Sequence, residues 1–197
     1  SSFSRAFYSI GSHTVTLEVT DSNGFRITLT VSFNVIPQPS VSFTSKYTTI
    51  DVGITDVFIS TASSGTLPYN YTWYVNNIAS GYGPSLDYVF SSSGTYSVKL
   101  VLTDADQNKV SSIATITVLA TPTASFSSSY KIIDVNVPDL FVSAVSGGTS
   151  PYNYTWEING IVVGYGSVLD HTFTSSGTYT THLSVVDSFG LSSSYVV

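Results

Sequence analysis

A strict internal repeat constrains this chain more than any other feature. Gly94-Thr95-Tyr96 recurs as Gly177-Thr178-Tyr179, 83 residues later. Asp21, Asp104 and Asp187 keep that spacing, as do Phe7, Phe90 and Phe173. Trp73 ends the run Pro-Tyr-Asn-Tyr-Thr-Trp at 68–73, and Trp156 ends an identical run at 151–156. Gly81-Tyr82-Gly83 returns as Gly164-Tyr165-Gly166. No insertion breaks the spacing, so each copy is expected to be one and the same structural unit. Seams are expected near Pro37-Gln38-Pro39 and Ala120-Thr121-Pro122, because Pro cannot donate to a sheet ladder and sits at strand ends. The expected organisation is the C-terminal part of one repeat at 1–36, a complete repeat at 37–119, and a nearly complete one at 120–197. On this reading the chain is a piece of a longer array. Residues 1–36 offer about two strands, which cannot bury an apolar face alone. They call for strands supplied from elsewhere.

The repeated unit is written in strand-forming residues. Val, Thr, Tyr and Phe abound, and these fit a pleated, half-buried surface. Helix formers are scarce, with only two Glu in the chain. At 96–102 the pattern alternates: Tyr96, Val98, Leu100 and Leu102 point one way and Ser97, Lys99 and Val101 the other, the period of a half-buried strand. In the complete copy strands are expected near 40–47, 56–63, 69–76, 85–90, 94–103 and 110–119, with a short edge strand near 77–81. Asp104-Ala105-Asp106-Gln107-Asn108 reads as a hairpin turn, like Asp21-Ser22-Asn23-Gly24 and Asp187-Ser188-Phe189-Gly190. Six or seven short strands per 83-residue unit imply an all-β fold of tandem antiparallel sandwiches.

Composition also excludes function classes. There is no Cys, so no disulfide scaffold. No apolar run approaches the roughly 18 residues of a membrane-spanning helix. The net charge is −6, with six Lys and Arg scattered singly. A nucleic-acid partner would want a basic stripe. Few Lys, few Glu and no Cys or Met suit long residence outside a cell.

Gly-Thr-Tyr followed by alternating apolar residues resembles strand F of immunoglobulin-like domains, where a Tyr forms the tyrosine corner. Tyr96 and Tyr179 take that place here, and Trp73 and Trp156 stand where strand C carries its buried Trp. The chain more closely resembles tandem PKD-type repeats of archaeal and bacterial surface proteins. The motifs that carry this likeness are the approach to each Trp, FSSSGTYSVKLVLTD at 90–104 and FTSSGTYTTHLSVVD at 173–187. It departs after the Trp, where Tyr74-Val75-Asn76-Asn77 and Glu157-Ile158-Asn159-Gly160 replace the family's acidic turn. The resemblance implies an extracellular spacer, adhesion or surface-layer module without catalytic activity.

Inward-facing residues are expected at Phe43, Val57, Ile59, Tyr71, Trp73, Val75, Leu86, Val98, Leu100, Leu102, Ile113 and Ile116. Asn70-Tyr71-Thr72 and Asn153-Tyr154-Thr155 are N-glycosylation sequons, and alternation turns Asn70 and Asn153 outward. The Asp104 run begins like a calcium loop but has Lys109 and Thr115 where that loop needs Gly and Glu, so the turn reading is preferred. Asp51 and Asp56, with their copies Asp134 and Asp139, leave calcium as the one alternative to having no cofactor. His13 stands at the Tyr96 and Tyr179 position and reads as a core substitute. His171 and His182 share no register, and no catalytic triad or metal spacing recurs. Tyr82 and Tyr165 are read as plugging the sandwich edge, with sugar stacking as the alternative. The expected function is that of a structural component of a surface layer, stalk or filament, in an archaeal cell envelope by resemblance. It would partner copies of itself or neighbouring repeats. The alternatives are an adhesin or glycan-binding repeat and an accessory array of a secreted hydrolase.

Overall fold

The computed structural model describes residues 2–197. Among these, seventeen strands form and no helix does. The first two strands, β1 (Gly11–Thr20) and β2 (Arg26–Val35), pair antiparallel as a two-stranded sheet, from Gly11 against Val35 to Thr20 against Arg26. Next come β3 (Ser40–Ser45), β4 (Thr49–Asp51), β5 (Thr55–Ser63), β6 (Asn70–Val75), β7 (Ile78–Tyr82), β8 (Ser85–Val89), β9 (Gly94–Thr103) and β10 (Lys109–Leu119). They form a three-stranded sheet, β3-β5-β8, and a five-stranded one, β4-β10-β9-β6-β7. The last set is β11 (Thr123–Ser128), β12 (Pro138–Ser146), β13 (Asn153–Ile158), β14 (Ile161–Tyr165), β15 (Val168–Thr172), β16 (Thr181–Val186) and β17 (Ser192–Val196). It repeats the arrangement with sheets β11-β12-β15 and β14-β13-β16-β17. The prolines at 37, 39 and 122 fall between strands, as a residue without an N–H must.

The chain divides into two compact units. One takes the chain through Thr44, with Ile59–Leu86 and Lys99–Ile113. The other takes Ser45–Phe58, Asp87–Val98 and Ala114–Val197. In the first unit the ring of Phe43 on β3 meets Trp73 on β6 edge-on, with centroids 5.1 Å apart. In the second unit Ala124, Phe141 and Leu169 from one sheet close on Trp156, Leu183 and Val185 from the other. Burying one such aliphatic or Phe side chain contributes roughly 1.5–3 kcal/mol, which is how these sandwiches stand without disulfides.

The alternation expected along β9 is present: Val98, Leu100 and Leu102 are fully buried. Along β5 the expected phase is off by one residue. Phe58 is buried, Val57 is half-buried, and Ile59 is 56% exposed. Asp56, two residues before Phe58, shares its inward side. Ile113 is likewise exposed while Ile116 is buried. The two lie three residues apart, an odd separation, so one strand cannot turn both to the same face. A strand missing from the expectation is β4, which pairs parallel to β10 from Thr49 against Thr117 to Asp51 against Leu119. Its copy at 132–134 forms no strand.

Candidate functional site

Three sets of repeated residues carry the local chemistry. The first is the corner at the start of β9. The hydroxyl of Tyr96 donates to the backbone carbonyl of Ser92 at 2.8 Å, and that of Tyr179 to Ser175 at 2.8 Å. Each ring also packs on a Phe, with Phe90 at 4.7 Å and Phe173 at 4.4 Å. His13 completes the series. Its Nε2 donates to the carbonyl of Ser9 at 2.8 Å, and its ring lies 4.9 Å from Phe7. An imidazole thus performs the tether of a phenol, with the same partners 83 residues earlier.

The second set joins each Trp to the Gly-Tyr-Gly run. Trp73 and Trp156 are fully buried. An indole N–H needs an acceptor when buried, and each finds one 10 residues on: Gly83 O for Trp73 and Gly166 O for Trp156, both at 2.9 Å. Gly83 holds a φ of 92°, in the left-handed region open to Gly. A Cβ on Gly81 would meet Leu86 Cδ1 at 2.6 Å. The two glycines therefore have structural causes, and the Tyr between them does not plug the sandwich edge. Tyr82 is 77% exposed and Tyr165 is 75% exposed, because Leu86 and Leu169 fill the inner side and leave the rings outward on edge strands.

The third set is a junction that the sequence reading missed. Asp51, at the end of β4, is fully buried. Its Oδ1 accepts the Thr149 hydroxyl at 2.8 Å and its Oδ2 accepts the Thr149 backbone N–H at 3.1 Å, across 98 residues of sequence. Thr149 is presented by the loop ahead of the second Trp motif. Tyr152 of that motif donates its hydroxyl to Gly147 O at 2.7 Å, and Gly148 N–H donates to Ala120 O at 2.7 Å. A Cβ on Gly148 would lie 2.8 Å from Asp187 Oδ2, so the loop approaches that carboxylate as only Gly can. The Tyr47 ring packs edge-on against Phe189 nearby, with centroids 5.1 Å apart. Burial pushes the Asp51 carboxyl up; the Thr149 hydroxyl opposes this, Asp187 adds to it, and the net shift is upward. A recurring Ser64-Gly65-Thr66 and Gly147-Gly148-Thr149 pair, one repeat apart, was the signal available in the sequence.

Five Asp carboxylates are engaged locally as hydrogen-bond acceptors. Asp56 accepts from Ser45 Oγ at 2.7 Å and Asp139 from Ser128 Oγ at 2.6 Å. Asp104 closes its hairpin turn, accepting Asn108 N–H at 2.9 Å, as Asp187 accepts Leu191 and Asp21 accepts Phe25, each at 2.9 Å. Burial pushes the Asp104 carboxyl up, but donors from Asn108, Thr66 and Asp106 outweigh it and hold it below the ordinary range. Among the described residues no group of three or more His, Cys, Asp or Glu side chains is placed to hold a metal ion. The histidines lie apart: His171 against the Phe173 ring at 4.7 Å, and His182 Nδ1 3.4 Å from Glu157 Oε2. Asn70 and Asn153 open β6 and β13 and are exposed.

The β1–β2 hairpin presents an exposed apolar face. Its register puts Val15 against Val31, Leu17 against Leu29 and Val19 against Ile27. All of these share one face, and Leu17, Val19, Ile27, Leu29 and Val31 are each more than half exposed. The opposite face is polar, with Thr14 near Ser32 and Thr16 near Thr30.

No family model and no curated protein matches the chain. Solved structures do. The three N-terminal domains of the bacteriophage RB49 highly immunogenic outer capsid protein (Hoc) match at a TM-score of 0.52 with 15% identity, over 81% of this chain and 58% of that one. The N-terminal four Ig domains of Dscam1 isoform 6.9 match at 0.42 and 14%, over 89% of this chain and 50% of theirs. The Clostridium thermocellum CbhA fibronectin(III)-like modules match at 0.39 and 14%, over 79% and 92%. This chain therefore spans only part of the Hoc and Dscam1 structures it matches. Identities this low speak to fold alone. With its sheet order, the chain is an all-β protein of tandem immunoglobulin-like sandwiches.

Proposed function

We propose that this chain is a non-catalytic, extracellular structural module, a run of PKD-type repeats in a surface-layer, stalk or filament protein of a cell envelope. The observation that carries the reading is the Asp51–Thr149 junction. A buried carboxylate at the end of β4 takes two hydrogen bonds from the loop ahead of the second Trp motif, 98 residues away in sequence. Such a contact suits a load-bearing module better than a flexible tether, since it ties elements far apart in sequence to one another. The repeated side chains have structural work to do, as corner tethers, indole acceptors or turn closures. The partners on this reading are further copies of the repeat, and the hairpin face of Leu17 and Leu29 is one surface for them. Electron microscopy of the native assembly tests it: ordered lattices or fibres are expected, and a dispersed monomer would overturn the reading.

A second reading is favoured by the exposure of Tyr82 and Tyr165. A Tyr with its apolar ring in solvent and its hydroxyl free to bond suits sugar stacking, as in an adhesin. Glycan-array binding that is lost on Tyr82→Ala together with Tyr165→Ala would establish it. Binding unaffected by that pair of changes would dismiss it.

A further inference from the structure

The loop before each Trp motif has been copied, but its hydrogen bonds have not. In the earlier copy, Thr66 serves its own turn. Its N–H donates to Asp104 Oδ2 at 3.2 Å, and its hydroxyl donates to Asp106 Oδ2 at 2.5 Å. Asn108 Nδ2 adds a second donor to Asp104 Oδ2 at 3.1 Å. In the later copy Phe189 and Leu191 stand in place of Asp106 and Asn108, so the turn has lost both groups. Thr149 gives its two donors to Asp51 instead. Asp187 keeps its Oδ1 bonds from the N–H groups of Phe189 and Leu191, at 3.0 and 2.9 Å. Its Oδ2 is buried with no hydrogen-bond partner, in a residue 3% exposed.

The carboxyl that acts on Asp51 is that of Asp187, and one loop meets both: a Cβ on Gly148 would lie 2.8 Å from Asp187 Oδ2, and the N–H of Thr149, the next residue, bonds Asp51 Oδ2 at 3.1 Å. Lys46 is a cation in this neighbourhood, and its ammonium lies over the Tyr47 ring, 5.0 Å from the centroid. Strand β10 contributes Thr117, Val118 and Leu119 beside β4. The loop contributes the neutral donors of Thr149, and the turn contributes Phe189, whose ring meets Tyr47. Two ionised carboxylates side by side in a buried site repel each other, and such pairs hold a proton between them. One proton also gives the unpartnered oxygen what it lacks, a donor.

We propose that Asp51 and Asp187 form a proton-binding site, with one proton carried on Asp51 and donated to Asp187 Oδ2, and that this proton latches β4 to the 147–149 loop and the 187–191 turn. Asp51 then accepts two hydrogen bonds from Thr149 and donates one to Asp187, and every polar atom of the junction is matched. The upward displacement of the Asp51 carboxyl by burial agrees with this arrangement. An acid raised in the folded state stabilises the fold below its unfolded value, near 3.8, and loses that contribution as pH rises through the raised value. The latch therefore closes on acidification and loosens as pH rises past that raised value.

Asp187→Asn tests this directly on the full chain. Its Oδ1 keeps the Phe189 and Leu191 bonds, and its Nδ2 donates to Asp51 without any proton being bound. Side-chain carboxyl NMR should show Asp51 titrating above the ordinary Asp value, about 3.9, in the parent. In Asp187→Asn the proton affinity of Asp51 should fall by about tenfold or more, one unit or more of midpoint. Unfolding midpoints of the parent relative to the variant should drop as pH rises through the Asp51 midpoint. If Asp187→Asn does not fold, Thr149→Val removes a donor that favours the carboxylate, and Asp51 should titrate higher still. Ordinary or lowered titration of Asp51 in the parent would overturn the proposal. So would an Asp51 midpoint unmoved by the variant that folds. A rise in the parent's unfolding midpoint with millimolar Ca²⁺, absent in Asp187→Asn, would assign the pair to a cation instead.

Discussion

Apart from Asp187 Oδ2, the side chains at the repeated positions meet specific neighbours, which makes single substitutions informative. Tyr179→Phe removes only the hydroxyl that reaches Ser175 O. One such bond contributes about 0.5–1.5 kcal/mol, and chemical denaturation should show a loss of that size. Trp156→Ala empties the centre of the second unit's core and should cost about 3–5 kcal/mol. With only two Trp in the chain, the fluorescence of Trp73 then reports the first unit alone. A smaller loss would mean that the Trp156 site collapses and refills. Asp104, held below the ordinary carboxyl range by its donors, has the opposite sign to Asp51. Its contribution is present above the unfolded value, near 3.8, and is lost as pH falls through the lowered value. Asp104→Asn should flatten the acid limb of the stability curve and leave the limb above neutrality unchanged.

At the level of elements, the three hairpin turns make one design with one deviation. Each closes with an N–H to the carbonyl of the opening Asp, from Gly24, Gln107 and Gly190, at 3.1 Å in all three. Those three residues all sit in the left-handed region, with φ of 83°, 65° and 83°. A residue with a Cβ pays about 1–2 kcal/mol for that conformation, and glycine gives back part of the gain through its unfolded-state entropy. Gln107→Gly should therefore stabilise by about 0.5 kcal/mol, and a destabilised variant would show that the Gln side chain has a role of its own. The β1–β2 hairpin differs from its copies in being open on its apolar face. Leu29→Lys places a charge among Leu17, Val15 and Val31. It should reduce concentration-dependent association in sedimentation experiments, leaving unfolding within about 0.5 kcal/mol of the parent, as is usual for surface positions. Undiminished association would place the contact elsewhere.

For the molecule as a whole, few charges and a net charge of −6 leave association to apolar faces, sheet edges and hydrogen bonds. Where the protein is made in a cell that glycosylates sequons, glycopeptide mass spectrometry should find sugar on Asn70 and Asn153, which lie at equivalent exposed strand starts. Unmodified peptides from such a source would show that the two sequons are not used.

Local regularities in the sequence were enough to specify the β-rich class, most strand positions within a repeat and the buried face of β9, since period-two alternation and a repeat without insertions depend only on neighbours along the chain. They also marked Tyr96, Tyr179, Trp73 and Trp156 for attention, though not the Gly83 and Gly166 carbonyls that the indoles seek. Tertiary structure alone decided the phase of β5, where Val57, Phe58 and Ile59 are all apolar and alternation is silent. It alone formed β4, a three-residue parallel strand too short to leave a pattern. It alone turned Thr149 toward Asp51, because a hydrogen bond across 98 residues depends on packing that no local pattern along the chain records. Thr66 and Thr149 carry the same side chain in the same local run, and only their surroundings in space send their donors to different acids.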